Sequence, residues 1–425
     1  MVPASPWWQL GMRDLLPWTL IRRPSTLAAL TVLLTCVPQD QADQTSAVHV
    51  TLADVASVVL IVATAACLVA GRASLPRRAM VVAPLVIAAT IATLASPDMA
   101  TSLPGHIRYL QVFVLIPLAV LVTLRERIDA WLVGGALVAA SAVQGAVGCY
   151  QVFTGTGASY GGERVRAVGT FGALDVMGMA TVVSFGAIIL LGTGLTTRGR
   201  PRIAAFTGAG LLAVPLVLSL SRGTWVAMAC AALVMLVMYS MRTAARVVMV
   251  MSAVAVLLVL GLGVGSDTIG RRLTSITSSV TEPDRSVSDR YDLWRAAEGM
   301  WVDHPLTGVG PRRFAALRDS YAPTGLSSGS DTEDPVNGYQ RQPLLSPHNM
   351  YLLVLSEQGV VGLAAFAFLF GALVLWSVIR RGLVITGLLT WVIVDFAYAD
   401  IGGAPTLVTA MVLGVALSWA AGGWS

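Results

Sequence analysis

Three positions in this chain have the side-chain types and settings that chemistry on an anionic substrate would need. Arg222 lies in L-S-L-S-R-G-T-W, residues 218–225, with apolar sequence close on both sides. A guanidinium in such a setting is costly to desolvate and by default marks a ligand site; the alternative is an arginine that snorkels to a membrane surface. Arg290 lies in S-D-R-Y-D-L-W-R, residues 288–295. His348 follows Pro347 where polar sequence gives way to a long apolar run, so it should stand at a helix start. The helix dipole there disfavours the imidazolium, and a neutral ring can take a proton from a hydroxyl, as a general base must. The alternative for His348 is a helix-capping or interfacial histidine.

The sequence around Arg290 says which way it should face. Ser286-x-x-Asp289 is a helix-start signal and Pro305 a stop, which predicts a helix over 289–302. At helical spacing Leu293, Trp294, Ala297, Met300 and Trp301 share one face, and Arg290 falls within it while Arg295 projects opposite. A guanidinium among Leu and Trp side chains must meet an anion, either a ligand or a local carboxylate such as Asp289 or Glu298. Pro305-Leu-Thr-Gly-Val-Gly-Pro311 is turn chemistry that should reverse the chain, with His304 in a structural role. Residues 322–345 read as irregular, and Asp331, Glu333 and Asp334 as a solvated acidic loop. Glu357, Asp395 and Asp400 are substrate contacts or internal partners for an arginine, in or near the last three apolar runs. No metal-binding motif is present, and neither a metal nor a cofactor is expected.

The elements that must position these residues are membrane helices. The chain of 425 residues is 56% hydrophobic and 12% charged, too little charge to cover the surface of a soluble protein of that length. The apolar runs fall at 26–38, 52–71, 79–96, 107–124, 130–152, 173–194, 203–220, 224–240, 247–265, 349–378, 383–399 and 404–421. Most are long enough to cross a hydrocarbon core of about 30 Å. The reading is an all-α polytopic membrane protein with about twelve transmembrane helices. Residues 1–265 would hold helices 1–9, residues 266–347 a large, partly helical loop, and residues 348–425 helices 10–12. The first run is expected to be an ordinary span without a removable signal. Cys36, Cys67, Cys149 and Cys230 fall in apolar runs at no ligand spacing and read as small buried hydrophobes.

The basic residues, all arginine, set the orientation. A cytoplasmic N-terminus puts Arg13, Arg22 and Arg23, then Arg72, Arg77 and Arg78, Arg125 and Arg127, Arg198, Arg200 and Arg202, Arg242 and Arg246, and Arg380 and Arg381 inside. The short outer loops 39–50, 97–106 and 398–405 are then acidic or nearly neutral, the 266–347 loop lies outside, and both termini lie inside. The net charge of +5 is spent on this asymmetry, so no nucleic-acid partner is expected. Arg164, Arg166 and Arg222 break the rule in short outer segments and want another reason to be there.

Taken in order, R-A-V-G-T-F-G (166–172), S-R-G-T-W (221–225), R-Y-D-L-W with D-H-P-L-T-G-V-G (290–310) and H-N-M-Y-L-L-V-L-S-E-Q-G-V-V-G (348–362) resemble the O-antigen ligase and Wzy-type polymerase family of bacterial envelope glycosyltransferases. The resemblance covers residues 160–365. It implies a GT-C-like, metal-independent enzyme in the inner membrane, acting at its outer face. The donor would be a glycan on undecaprenyl diphosphate and the acceptor a hydroxyl of a lipid, glycan or protein. By the family pattern the outer arginines hold the diphosphate and the loop histidine activates the acceptor. Arg222 and His348 match that pattern directly. Arg290 also matches, with Arg295 nearby, and Arg166 and Arg164 are further carry-overs; Glu357 and Asp395 would support the site from behind. The segment after Gly172 continues Ala173-Leu174-Asp175, where relatives often have an Asn-rich continuation. The rival class is a twelve-span transporter or flippase of lipid-linked oligosaccharides. Such a protein should show matching halves, which this sequence lacks.

Overall fold

The structure is a computed structural model that describes all residues except 1–22, 39–49, 160–164, 173–174, 262–284, 324–325, 327–329, 335–337, 343, 404 and 423–425. Its described residues are helical apart from turns, an isolated bridge and one short hairpin. In chain order, the helices before the loop are α1 (Ser25–Leu34), α2 (Leu52–Val69), a 3-10 turn (Arg77–Val82) leading into α3 (Ala83–Leu94), and α4 (Met99–Leu110), which passes through a π turn (Gln111–Leu115) into α5 (Ile116–Thr123). They continue as α6 (Arg127–Thr154), α7 (Val176–Thr196), α8 (Arg200–Leu218), α9 (Arg222–Tyr239) and α10 (Met241–Gly261). The loop holds α11 (Arg285–Asp303), α12 (Phe314–Tyr321) and the antiparallel hairpin β1 (Ser330–Asp334) and β2 (Gly338–Gln342), which pair from Ser330 opposite Gln342 to Asp334 opposite Gly338. The chain ends with α13 (Met350–Ile379), α14 (Leu383–Asp395) and α15 (Pro405–Ala421).

Each predicted apolar run falls on one of these helices. Among the described residues eight helices are long and apolar enough to cross a membrane, while α1, α14 and α15 are shorter apolar helices. The chain is a polytopic membrane protein. The helix after α3 starts at Met99, so most of the predicted 97–106 loop is helical; Asp98 caps it, accepting the Thr101 N–H at 3.1 Å. Its polar residues and Pro104 had the look of a loop. The stretch predicted as irregular contains the β1–β2 hairpin instead.

The core sits around α15. Every residue from Pro405 to Ser418 is buried, as is Ala420, so this helix is apolar on all sides because other helices surround it. It contacts α5, α7, α13 and α14. Around it the turns sort into two ends. At one end Arg23 pairs with Glu126 at 2.9 Å and Asp129 at 3.3 Å. There too Arg125 donates to the Arg72 carbonyl, Arg78 to the Ala420 carbonyl and Arg380 to the Trp419 carbonyl. These are arginines of turns read as cytoplasmic. At the opposite end the loop helices α11 and α12 meet the starts of α4 and α13 and the turn after α14.

The loop is fastened there by a backbone splice. Gly359, with φ 64° and ψ −166°, breaks α13 in its third turn. A continuous helix would pair Val360 N–H with the Ser356 carbonyl and Val361 N–H with the Glu357 carbonyl. The Pro305–Gly310 turn satisfies all four groups instead. Val360 donates to the Pro305 carbonyl at 2.9 Å and Val361 to the Leu306 carbonyl at 3.3 Å. Val309 donates to the Ser356 carbonyl and Gly310 to the Glu357 carbonyl, each at 2.9 Å. A backbone group left unpaired in apolar surroundings costs roughly 2–7 kcal/mol, so the break is tolerable only with this partner in place. The same turn is held from a third side. Arg313 pairs with Asp98 at 3.0 Å, and the Ser96 hydroxyl donates to the Val309 carbonyl at 3.3 Å.

Candidate active site

His348 sits where α13 begins, in left-handed backbone with φ 48°. For a residue other than glycine that conformation costs on the order of 1–3 kcal/mol, and the surroundings impose it. Asn349 caps α13, its side-chain oxygen accepting from Tyr351 N–H at 3.0 Å and Leu352 N–H at 3.1 Å. Met350 N–H donates to the carbonyls of Phe396 at 2.8 Å and Ala399 at 3.0 Å, and the Asn349 amide donates to Ala397 at 3.3 Å. The turn after α14 is thereby stitched to the start of α13, which brings Asp400 beside His348.

The third member comes from the loop. On α11 Leu293, Ala296, Ala297 and Met300 are fully buried against Val309, Phe314 and Leu344, with Leu352 and Leu353 of α13 packed alongside. Trp294 and Trp301 are only partly buried, so the apolar face is turned slightly from the expected one and Ala296 joins it. The helix starts at Arg285, which puts Ser286 inside the first turn rather than at the cap. The Trp294 ring N–H donates to the Pro347 carbonyl at 2.9 Å and fixes α11 next to His348. In this position Arg290 acts electrostatically on His348, Asp400 and Asp395. Arg295 is 72% exposed, 3.4 Å from Asp292, and borders a separate groove of about 400 Å³ lined by Tyr291, Trp294, Trp301, Leu352 and Leu355.

Burial pushes the His348 imidazole below its ordinary value; the Asp400 charge opposes that shift and the Arg290 charge reinforces it. The ring is therefore neutral at neutral pH. Burial likewise raises the Asp400 carboxyl, against the opposing pull of the His348 ring, the Ser346 hydroxyl, the His348 N–H and Arg290. Among the described residues Asp395 Oδ1 and Asp400 Oδ2 are buried without a hydrogen-bond partner. The cluster thus combines a fixed cation, a neutral ring able to accept a proton and two carboxylates. Among the described residues no three His, Cys, Asp and Glu side chains gather as a set that could hold a metal ion.

Arg222 is the first residue of α9 and is exposed. Leu220 before it is left-handed, with φ 51°. A cation at a helix N-terminus opposes the macrodipole, so local structure alone does not favour it there. The Trp225 ring N–H donates to the Leu216 carbonyl at 2.8 Å, and the Ser221 and Thr224 hydroxyls lie 2.8 Å apart, which locks the α8–α9 corner. A Cβ on Gly223 would stand 2.9 Å from Tyr398, so this corner abuts the turn that carries Asp400. Arg166 belongs to a segment tied to the same corner. Its backbone pairs with Ala158 in an isolated bridge, and Ala167 N–H donates to the Leu218 carbonyl at 3.1 Å. Asp175, at the end of that segment, faces the 400–405 turn: a Cβ on Gly403 would lie 2.8 Å from its Oδ2. Arg164 lies outside the described residues.

Two residues that the motifs did not single out hold the R-A-V-G-T-F-G segment. Gln144, on α6, is fully buried and accepts the Thr170 N–H at 2.9 Å. Gln151 accepts the Val168 and Gly169 N–H groups at 3.1 and 2.8 Å. Amides seven residues apart on one face of an apolar helix were the available signal. Glu357 turns toward the loop: Oε1 accepts the Phe314 N–H at 3.1 Å, at the start of α12, and the Arg312 N–H and charge act on the same carboxylate.

The stretch from α8 through the loop into α13 also matches a known family model, described as O-antigen ligase. Residues 207–367 carry the match. It takes in Arg222, Arg290, His348 and both sides of the splice, and it agrees with the resemblance drawn from the motifs. The family comprises membrane enzymes that ligate or polymerise glycans. No curated protein matches the chain.

Proposed function

We propose that this chain transfers a glycan from undecaprenyl diphosphate to an acceptor hydroxyl at the outer face of the bacterial cytoplasmic membrane. The observation that carries the reading is the grouping of Arg290, His348 and Asp400 at the loop end of the bundle, inside a stretch that matches O-antigen ligases. In this reading twelve crossings leave both termini in the cytoplasm and residues 266–347 outside.

The acceptor oxygen attacks the anomeric carbon while His348 takes its proton. The bond from that carbon to the diphosphate oxygen breaks, and its electron pair leaves with undecaprenyl diphosphate. Arg290 and Arg222, with Arg166 behind them, meet the charge that develops on the leaving group. Guanidiniums are permanently charged and suit bidentate contact with phosphate oxygens, so they can do here what a divalent cation does in other transferases. A single displacement inverts the anomeric centre. A polymerase drawing on the same donor would ask the same of these residues and differ only in its acceptor, which could be a lipid, a glycan or a protein.

Purified protein in liposomes, given a glycan on undecaprenyl diphosphate and an acceptor, should form the glycosidic bond at a rate that EDTA does not change. The Arg222→Lys variant should be severely impaired, since an ammonium replaces the planar fork with a point charge. A protein that carries the lipid across the bilayer without breaking the sugar–phosphate bond would be a transporter, and the proposal would fall.

A further inference from the structure

We propose that Glu357 is a positioning residue: its carboxylate holds the Pro305–Phe314 turn so that α11 presents Arg290 to His348, and it takes no proton from substrate. The proposal rests on the donor-site reading of Arg290 and His348 and adds the part that fixes their spacing.

Glu357 is 8% exposed and comes from inside a membrane helix, where a carboxylate without a function would be selected against by its desolvation. Its Oε1 accepts the Phe314 N–H at 3.1 Å, and the Arg312 N–H faces the same carboxylate. Its own carbonyl accepts Gly310 N–H at 2.9 Å. One residue therefore grips the turn at both ends, with the side chain on the start of α12 and the backbone on the splice. The turn follows α11 directly, and Phe314 and Val309 form the floor on which Leu293 and Met300 of α11 pack. His348 stands just before the cap of the helix that carries Glu357, nine residues earlier in the chain. Movement of the turn relative to α13 would carry Arg290 away from His348 even if every catalytic side chain were intact. A carboxylate that serves as an acceptor for amide N–H groups differs from one that works as an acid or base in a testable way: an uncharged amide oxygen can replace the first and not the second.

The test uses the full-length protein in detergent, with two readouts on the same preparations. Hydrogen exchange over residues 305–322 reports the hold on the turn, and binding of undecaprenyl diphosphate reports the placement of Arg290. Glu357→Gln should keep both the parent's protection and, within about twofold, its affinity, whereas Glu357→Ala should exchange roughly tenfold faster or more and bind correspondingly more weakly. Arg290→Ala should keep the protection and lose the binding. The proposal is overturned if Glu357→Gln loses affinity while the turn stays protected, because the charge then meets the ligand. It is also overturned if Glu357→Ala leaves protection unchanged. Should Glu357→Ala fail to fold, the glutamine variant alone decides. If Arg290→Ala binds like the parent, the donor-site reading fails, while the exchange data still decide whether Glu357 holds the turn.

Discussion

Gly308 and Gly359 are complementary: a Cβ on Gly308 would overlap the backbone at Glu357 and Gln358, and one on Gly359 would overlap the backbone at Leu306 and Thr307. Both have positive φ, 65° and 64°. Neither segment can adopt its conformation without the other. The D-H-P-L-T-G-V-G and S-E-Q-G-V-V-G motifs are thus the two halves of one joint between loop and membrane helix.

Alanine at either glycine should therefore open the joint. The positive-φ backbone alone costs on the order of 1–3 kcal/mol for a residue with a Cβ, and the overlap adds to it. Gly308→Ala and Gly359→Ala should each make the 305–322 region sensitive to limited proteolysis under conditions that leave the parent intact. An alanine at exposed Gly210, in the middle of α8 with open space around its Cα, should not. Proteolysis patterns unchanged by either variant would mean that the splice is not what fixes the loop.

The orientation rests on the arginine asymmetry of the short turns, and it predicts which residues a membrane-impermeant thiol reagent can reach. In a background without the four native cysteines, Glu298→Cys on α11 should label in intact cells, and Arg202→Cys at the start of α8 should label only after the cells are opened. The reverse pattern would place α11 in the cytoplasm, away from any outer-face acceptor.

Arg290 and Arg295 are five residues apart on one helix, yet only Arg290 acts on His348, Asp400 and Asp395. Alanine variants matched for expression should differ by more than about tenfold in transfer, with Arg290→Ala the worse. Equal losses would assign the charge on α11 to general attraction of the donor rather than to a defined contact.

The hydropathy of the chain made the helices legible, because each must satisfy its own backbone in an apolar surrounding. The separation of Arg290 from Arg295 was also legible, since it needs only helical spacing and the positions of Leu293, Ala297 and Met300. The break at Gly359 was not. Gln358-Gly359-Val360-Val361 sits in an apolar run, glycine is common in membrane helices, and the break becomes stable only through a partner some fifty residues away in sequence. Gln144 and Gln151 were missed for a related reason: their spacing on one helix face was visible, but their partners are backbone N–H groups of the 168–170 segment, far from them in sequence. The closeness of Asp400 to His348 depends on the stitching of Met350 to Phe396 and Ala399, again a backbone relationship.

In the proposed mechanism the protonation of His348 sets the pH dependence. Its folded value lies below the ordinary 6.5, so the base is present at neutral pH and is lost only as pH falls through that lowered value. The acid limb of transfer should accordingly lie below pH 6.5. Asp400 favours the imidazolium, so Asp400→Asn should move the acid limb to lower pH, and a shift upward would reverse the sign assigned to that pair.

The account stands most directly on His348→Ala, assayed for both binding and transfer. Loss of a general base costs about 10²- to 10⁴-fold in rate while leaving substrate contacts in place. The variant should bind undecaprenyl diphosphate as the parent does, transfer glycan slower by a factor in that range, and show no acid limb in its residual rate. If it transfers at the parent's rate but binds the lipid diphosphate weakly, His348 is a binding residue, and proton acceptance by this ring is contradicted.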